Sequence, residues 1–390
     1  WKVFDVMRFC IFVFLSIIGL SLNAQNNWSA FEGISTQYEM QVSASDHHTP
    51  LWLNANKYGL SSLSKNNGYV RVALERDIHR DSDRTVGFGY GFDVAVPYQY
   101  STNLAIQQLY TEIRYKRFTF SLGSKYHTME LKNQELSSGS QTFGINARPV
   151  PQFRISVDDY YTLPFTKEWL SVKGHFAYGY MTDGRWQKDF SHQEYKWTEG
   201  ALYHSKAGYL RVGNSSKPIS FELGLEMAAV FGGKVNWYYE EEDRMLLFDD
   251  KIGISDFWHA FIPSGSDYRE DEIGYRNVEG NQVGSWVARL TYDHRDFSVS
   301  LYADHFFEDH SAIYHLGYYG YGIDGDWQKR NRRLYLYPLK DGLLGLDLRL
   351  KKQRYLKNIV VEFMNAMYQS GPVYHDHTIN VYDQIGGRDN

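Results

Sequence analysis

Aromatic and charged side chains recur together in the longest stretches between apolar segments of this chain, and together they could bind a carbohydrate. An aromatic ring can cover the apolar face of a sugar, while charged side chains hydrogen-bond its hydroxyl groups. Rings of this kind also form the girdles at membrane interfaces, so we expect only about half of them to contact a ligand. The candidate carbohydrate-binding residues are Arg185, Trp186, Trp197, Trp237, Tyr238, Tyr239, Trp258, Tyr319 and Trp327.

The other short motifs do not predict a catalytic, cofactor or metal site. The glycine pattern of 320–325 matches a dinucleotide-binding loop, but neither the preceding strand nor the following helix that such a loop needs is indicated. No serine elbow with a partner histidine is visible, so we expect no enzymatic activity and no cofactor. Histidines flank Asp376 and follow Asp46, and loop histidines of this kind are more often solvated than bound to a metal. We therefore predict no metal site.

Alternation of apolar and polar residues predicts that β-strands carry these loops. From Val86 to Val96 every second residue is apolar, and the intervening residues are small or polar. Successive side chains of a strand point to opposite faces, so this segment has one apolar and one polar face. A soluble sandwich or a membrane barrel could use such a strand. Similar alternation occurs at 34–42, 70–76, 109–115, 118–123, 153–158, 172–180, 202–212, 219–227, 286–292, 297–303, 344–350 and 359–363.

The connections between these segments alternate in length, which favours the membrane barrel. Short connections such as 116–117 and 294–296 alternate with long ones such as 127–152, 232–285 and 306–342. Outer-membrane barrels have short periplasmic turns and long extracellular loops. We predict an all-β fold, a transmembrane antiparallel up-and-down β-barrel of about sixteen to eighteen strands. Its N-terminus is periplasmic, and 232–285 and 306–342 are long extracellular loops.

A lumen of this size must be filled either with water or with plug segments of the protein. The segment 43–68 is predicted to be either a plug or an outer loop. The small residues Gly87, Gly89 and Gly91 are predicted to face the lumen, where they would leave room for an inserted segment such as 50–59. A further strand is predicted at 333–337, inside the last long loop.

The composition agrees with a membrane barrel. Aromatic residues make up 17% of the chain, as expected for a barrel with aromatic girdles at both membrane interfaces. The mean hydropathy is only -0.49, which also fits a barrel, because alternate residues of its strands face a polar lumen. The formal net charge is -5 and no basic stripe is visible, so nucleic acid is not an expected partner. The expected partners are a surface polysaccharide and outer-membrane lipids, and we expect a monomer.

Residues 1–24 are predicted to be a secretory signal peptide, which leaves 25–390 as the barrel. Lys2 and Arg8 precede an apolar run that is too short to remain as a membrane anchor, and Ala24 is the small residue expected before cleavage. The single cysteine, Cys10, lies within this run, so no disulfide is expected in the barrel. No closing strand is visible at 386–390, so we expect either an incomplete C-terminus or a closure that the pattern does not reveal.

Several segments resemble the capsule assembly protein Wzi family. They are 50–59, 138–160, 169–180 and 206–213, and the most specific block runs through Asn146, Arg148, Pro149 and Pro151. The resemblance implies a barrel of about eighteen strands. It also implies a barrel that is occluded by its own segments and that binds capsular or other surface polysaccharide through extracellular loops, without catalysis.

The sequence thus predicts a lectin-like protein of the bacterial outer membrane that assists the assembly or attachment of a surface polysaccharide. The alternative is an outer-membrane porin or a specific uptake channel. An open lumen would favour the channel, and an occluded lumen would favour the lectin-like protein.

Overall fold

The computed structural model describes residues 32–54, 57–81, 84–191, 196–214, 216–239, 244–249, 252–262, 282–307 and 342–366. Within these ranges the chain is almost entirely β-structure. The sixteen strands are β1 (Ser35–Ala44), β2 (Asn66–Arg76), β3 (Val86–Tyr98), β4 (Ala105–Tyr115), β5 (Phe118–Ser124), β6 (Gln152–Thr162), β7 (Leu170–Tyr180), β8 (Trp197–Glu199), β9 (Leu202–Val212), β10 (Ile219–Phe231), β11 (Lys234–Tyr239), β12 (Arg244–Asp249), β13 (Val283–Asp293), β14 (Phe297–Phe307), β15 (Gly342–Leu350) and β16 (Asn358–Asn365).

Thirteen strands form one antiparallel sheet, which is the wall of an up-and-down barrel. Their order follows the chain, except that β8, β11 and β12 are left out of the wall and pair with one another in a separate three-stranded sheet. Each segment predicted from alternation is one of these thirteen strands, so the predicted all-β barrel fold is confirmed. The described residues contribute thirteen strands to the wall, against the sixteen to eighteen predicted. The candidate strand at 333–337 and the signal peptide at 1–24 lie outside the described residues.

The connections alternate in length around most of the wall, as predicted. The exception is the connection 99–104 between β3 and β4, which is shorter than the connection 77–85 between β2 and β3. The connections after β2, β4, β6, β9, β13 and β15 are short and lie at one end, which we call the periplasmic end. The other connections, most of them longer, lie at the opposite, extracellular end. The longest described one joins β10 to β13 and contains β11, β12 and a short helix. The part of 306–342 between β14 and β15 lies outside the described residues.

The two faces of the wall have opposite chemistry, and β3 illustrates the difference. On its outward face Phe92 is 50% exposed and Val96 is 61% exposed, whereas on its inward face Asp93 and Ala95 are buried. Outward-facing Leu223 and Leu290 are also exposed, while inward-facing Glu226 is buried. Apolar side chains outside and charged side chains inside invert the arrangement of a soluble protein. This arrangement matches a wall whose outer surface faces lipid and whose lumen is polar.

Glycines on the inward face make room for larger side chains that lie against the wall. A Cβ atom at Gly224 would come within 2.3 Å of the Tyr209 ring, and one at Gly345 would come within 2.1 Å of the Tyr302 ring. Each tyrosine therefore covers a glycine on the neighbouring strand, which is a known way to stabilise glycine in a sheet. Both tyrosines are buried, and their hydroxyl groups donate hydrogen bonds to Glu226 and Glu362 respectively.

The glycine face of β3 is in the lumen, as predicted, but the segment that fills the space is the turn Ile78–Asp81 rather than 50–59. Ile78 lies against both Gly87 and Gly89. Asp81 accepts hydrogen bonds from Arg76 at 2.9 Å and from the Phe88 amide at 3.1 Å. Burial alone would raise the pKa of the Asp81 carboxyl, but the bonds from Arg76 and Phe88 hold it below its usual value. This turn occupies the periplasmic end of the lumen.

Within the described residues, two short α-helices belong to the extracellular connections. Helix α1 (Gly184–Phe190) precedes β8, and helix α2 (Ile254–Phe261) lies between β12 and β13. The Gln187 side chain of α1 accepts a hydrogen bond from the Thr198 amide of β8, which fixes α1 against the three-stranded sheet. In the described part of the chain, no helix has the length and apolarity needed to cross a bilayer.

Candidate functional site

The connection between β5 and β6, residues 125–151, enters the lumen and binds the inward face of the wall; we call it the plug segment. Its strongest link is Lys132, whose ammonium group forms an ion pair with Asp304 of β14 and donates a hydrogen bond to the Gly139 carbonyl. The side chains of Lys132 and Asp304 are 1% and 0% exposed. A charge buried this deeply needs a partner, so the pair fixes the segment to the far wall.

Three further contacts fix the plug segment to other strands. The Ser138 amide and both the Ser137 and Ser138 hydroxyl groups donate hydrogen bonds to Glu362 of β16. The Ser140 hydroxyl group donates to Glu226 of β10 at 2.8 Å, and Thr142 hydrogen-bonds Ser285 of β13 at 2.8 Å. The hydroxyl-rich run 137–142 therefore reaches from β10 to β16 along one side of the lumen.

The plug segment also contacts the opposite side of the lumen. At its start, Lys125 forms an ion pair with Glu112 of β4 at 2.6 Å, and Glu130 pairs with Lys173 of β7. Between these contacts and those of 137–142, the Arg289 guanidinium group of β13 donates a hydrogen bond to the Leu131 carbonyl at 3.1 Å. Contacts from β4 to β16 mean that the segment extends across the lumen.

The block around Asn146 contacts 50–59, another of the segments that carry the family resemblance. The Asn146 side chain accepts hydrogen bonds from the amides of Lys57 and Tyr58, at 2.7 and 2.9 Å, and donates one to the Asn54 carbonyl. The side chain of Arg148 lies against Gly59, which has a positive φ of 77°. The plug segment thus supports the connection between β1 and β2. The assignment of 43–68 as a plug or an outer loop stays a prediction.

A cavity of about 840 Å³ lies between the plug segment and the wall formed by β6, β7, β9 and β10. It is bordered by charged, neutral polar and aromatic side chains, including Arg154, His175 and Tyr203. His127 of the plug segment borders the open space of the cavity, yet the surrounding protein desolvates its ring. This burial, together with the positive charges of Arg154 and Lys125, lowers the pKa of His127 well below its ordinary value. The imidazole is therefore neutral at pH 7.

The candidate carbohydrate-binding residues of the outer loops differ in their exposure. Arg185 and Trp186 are exposed on α1, and the Trp186 ring stacks on Phe190 at 4.9 Å between ring centroids. Trp197 of β8 is only 4% exposed, and its indole donates a hydrogen bond to Glu199, so its ring is not presented to solvent. Two of the predicted residues, Arg185 and Trp186, therefore lie at one exposed aromatic pair, which Trp186 forms with Phe190.

The remaining candidates lie on β11, on α2 and outside the described residues. Trp237 is half-buried on β11, and the Lys196 ammonium group lies 5.9 Å from its ring. Tyr238 and Tyr239 follow it on the same strand, but the structure does not describe their side chains. Tyr319 and Trp327 lie outside the described residues. Their assignment as ligand-binding residues stays a prediction.

Helix α2 packs on the outward face of the wall, at its extracellular end. Its Phe257 ring contacts Tyr178 of β7 and Phe231 of β10, at 5.2 and 5.7 Å between centroids, and both residues point outward. Trp258 of this helix is 59% exposed. It lies on the outside of the wall, where the interface aromatics of membrane barrels also lie. Its assignment as a carbohydrate-binding residue stays a prediction, and the position is one that a girdle residue would occupy.

The C-terminal end of α2 is held by a lysine that points outward from β9. The Lys206 ammonium group donates hydrogen bonds to the carbonyls of Ala260 and Phe261 and to the Gln282 side chain, at 2.9, 2.5 and 2.8 Å. A cation favours the last carbonyls of a helix because these carry the negative end of the helix dipole. The same hydrogen bonds supply acceptors to the positively charged Lys206 side chain, which lies on the outer surface of the wall.

We expect Lys206→Met to release α2 from the wall without unfolding the barrel. Hydrogen bonds to a charged group contribute about 1.5–3 kcal/mol, so amide hydrogen exchange within Ile254–Phe261 should become about tenfold faster or more. Exchange within β7 and β9 should not change. Lys351→Met is the matched control, because Lys351 pairs with Asp293 at an exposed periplasmic turn. Equal protection of α2 in wild type and Lys206→Met would contradict this assignment.

No metal site is formed by the described residues, among which no three His, Cys, Asp or Glu side chains cluster. His47 lies 3.8 Å from Asp46, and both side chains are almost fully exposed. The second histidine motif, around Asp376, lies outside the described residues.

The outward apolar surface, the charged lumen and the alternation of short and long connections together define the class of protein. The chain is a β-barrel of the bacterial outer membrane.

Comparisons with known proteins do not assign this barrel to a family. No family model matches the chain, and no curated protein sequence matches it. Among solved structures it is similar to Wzi, an outer-membrane protein involved in group 1 capsule assembly in Escherichia coli and a carbohydrate-binding β-barrel. The identity is 12%, the match covers 86% of this chain and 71% of that chain, and the TM-score is 0.36.

Porins also resemble the chain. OmpF of Salmonella typhi, solved in complex with daunomycin, is 7% identical over 85% of this chain and 97% of that chain, with a TM-score of 0.28. A triple mutant of the Rhodopseudomonas blastica porin is 9% identical over 84% of this chain and 97% of that chain, with a TM-score of 0.28. These identities and TM-scores are too low to assign a class of protein. The assignment to outer-membrane barrels therefore rests on the strands, faces and connections of this chain.

Proposed function

We propose that this barrel binds a surface polysaccharide through its extracellular loops and holds it at the cell surface, without covalent chemistry. The observation that carries the proposal is the exposed aromatic pair of α1. Trp186 and Phe190 are 49% and 71% exposed, their ring planes are inclined by only 15°, and Arg185 precedes them. An extended aromatic face beside a guanidinium group suits a sugar, which has both an apolar face and hydroxyl groups.

The plug segment supports this proposal over diffusion through the lumen. It contacts the wall from β4 to β16 through ion pairs and hydrogen bonds, including the buried pair of Lys132 and Asp304. A porin needs a continuous aqueous path, whereas a binding protein needs only a rigid platform for its loops. The competing function, a porin or uptake channel, requires that the plug segment leave a conducting path.

The experiment is a binding titration of purified barrel against polysaccharide extracted from the surface of the host bacterium. We expect Trp186→Ala to weaken binding by about tenfold or more, as truncation of a central Trp does at other interfaces. Phe165→Ala is the matched control, because Phe165 is 81% exposed but lies in a periplasmic turn. Equal affinity of wild type and Trp186→Ala would remove α1 from the binding site. A wild-type barrel that binds no surface polysaccharide would overturn the proposed function.

A further inference from the structure

The cavity beside the plug segment has the position and size of a ligand site. Its volume of about 840 Å³ falls within the usual range for small-molecule sites in proteins. Gln152 and Tyr203, at the extracellular ends of β6 and β9, border it on one side, and the plug segment borders it on the other. The cavity therefore lies in the extracellular half of the lumen, beneath the outer loops.

Arg154 gives this cavity a positive charge, and within the described residues its guanidinium group forms no ion pair. Three other charged groups of the cavity have partners: Lys125 pairs with Glu112, Glu130 pairs with Lys173, and Glu226 accepts hydrogen bonds from Ser140 and Tyr209. Glu135 and Arg148 also border the cavity. The Nε atom of Arg154 is buried and has no hydrogen-bond partner within the described residues. Across the strand pair its neighbour is Ala177, which is too small to cover a guanidinium group.

Two neutral polar side chains beside Arg154 also have unused hydrogen-bonding atoms. The Oε1 atom of Gln152 and the Nε2 atom of His175 are buried and without partners within the described residues. The Nε2 atom of Gln152 lies 3.3 Å from the Nε2 atom of His127. A buried polar atom without a partner costs free energy, and a ligand that supplies the missing partner recovers it.

Aromatic rings complete the lining of the cavity. Phe143 of the plug segment contacts the His175 ring at 5.6 Å between centroids, and Tyr126 and Tyr203 also border the space. A guanidinium group recognises a carboxylate through two parallel hydrogen bonds, neutral amide and imidazole groups bind hydroxyl groups, and rings cover the apolar face of a sugar. A carboxylate-bearing sugar combines all three features in one molecule.

We propose that this cavity binds one acidic sugar unit, with its carboxylate on Arg154 and its hydroxyl groups on Gln152 and His175. The inference rests on the proposed function, because it makes the cavity the site for an acidic unit of the same surface polysaccharide. The ligand enters from the extracellular side, between the plug segment and the ends of β6 and β9. Specificity for the acid comes from Arg154, whose buried Nε atom has no hydrogen-bond partner within the described residues.

The test is a calorimetric titration of the purified barrel with glucuronate, its methyl ester and inorganic phosphate. We expect wild type to bind glucuronate and Arg154→Gln to bind it at least about tenfold more weakly, which matches the loss of a hydrogen bond to a charged group. The methyl ester should bind wild type as weakly as glucuronate binds Arg154→Gln. Arg154→Lys should retain part of the affinity, because it keeps the charge but loses the planar fork.

The controls separate misfolding, simple anion binding and failure of the proposed function. Arg117→Gln, in the periplasmic turn between β4 and β5, should bind glucuronate like wild type, and every variant should migrate as a folded barrel on an unboiled gel. The inference is overturned if wild type does not bind glucuronate or if Arg154→Gln binds it equally well. It is also overturned if phosphate binds as tightly as glucuronate, since an anion alone would then suffice. If the whole polysaccharide still binds in those cases, the proposed function stands and only the acidic subsite fails.

Discussion

Lys132→Met should detach the plug segment from the wall. The substitution leaves the Asp304 carboxylate buried, 0% exposed, without its cation. Breaking a buried ion pair by removing one partner costs about 3–5 kcal/mol, which is the largest loss we expect from any single contact of the plug segment. Amide hydrogen exchange across 131–144 should accelerate strongly, and the midpoint of urea unfolding of the barrel should fall.

The double variant Lys132→Met with Asp304→Leu is the control for this effect. Replacing both partners of a buried pair with apolar residues is often neutral, so protection of 131–144 should return towards that of wild type. Exchange rates that are unchanged in Lys132→Met would show that this ion pair does not hold the segment. Rates that are equally fast in the single and double variants would also contradict the account.

Gly224→Ala should destabilise the wall because a tyrosine lies directly over this glycine. The added Cβ atom would come within 2.3 Å of a carbon of the Tyr209 ring and within 2.9 Å of Val287. Tyr209 is buried and donates a hydrogen bond to Glu226, which also binds Ser140 of the plug segment. Overpacking of this kind costs about 1–3 kcal/mol, measured as the free energy of unfolding of the barrel in vesicles.

Gly208→Ala is the matched control, on the neighbouring strand. A Cβ atom at Gly208 meets no other atom within 4 Å, and this glycine faces outward. Alanine also leaves the unfolded chain fewer conformations than glycine does, so less entropy is lost on folding and the stability of this variant should equal or slightly exceed that of wild type. If Gly224→Ala and Gly208→Ala are equally stable, the packing of Tyr209 over Gly224 does not contribute as described.

The wall could be predicted from sequence because its physics is local and repetitive. One face of each long strand meets lipid and the other meets a polar lumen, so alternation marks segments such as 85–96 and 219–227 directly. Strands β8, β11 and β12 lie outside the wall and are only three to six residues long. Segments this short, without a lipid-facing side, carry no comparable pattern, and the sequence analysis did not identify them.

The interior could not be predicted to the same extent. The plug segment has no periodic pattern, and its main contact joins Lys132 to Asp304, 172 residues apart in the chain. The same limit applies to the small space beside Gly87 and Gly89, which the neighbouring turn Ile78–Asp81 fills. Sequence spacing predicted that these glycines leave room for a segment but did not identify which segment uses it.

The sequence predicted which aromatic residues lie in the outer loops, but not which surface each of them faces. The sequence grouped Trp186 and Trp258 as similar loop aromatics, yet Trp186 stacks on Phe190 within α1, whereas Trp258 lies on a helix packed against the outward wall. The sequence feature that indicated the second location was Lys206, a charged residue at an outward position of β9, on a strand face that is otherwise mostly apolar. Its role became clear only with the carbonyls of Ala260 and Phe261 placed beside it.

Single-channel recording of the wild-type barrel in a planar lipid bilayer tests the account most directly. A plug segment that contacts the wall from β4 to β16 predicts inserted protein without a steady conductance, whatever the sign of the applied voltage. Insertion can be verified independently by protection from protease. A stable, ion-conducting open state of the wild-type protein would contradict the occluded barrel and favour the porin.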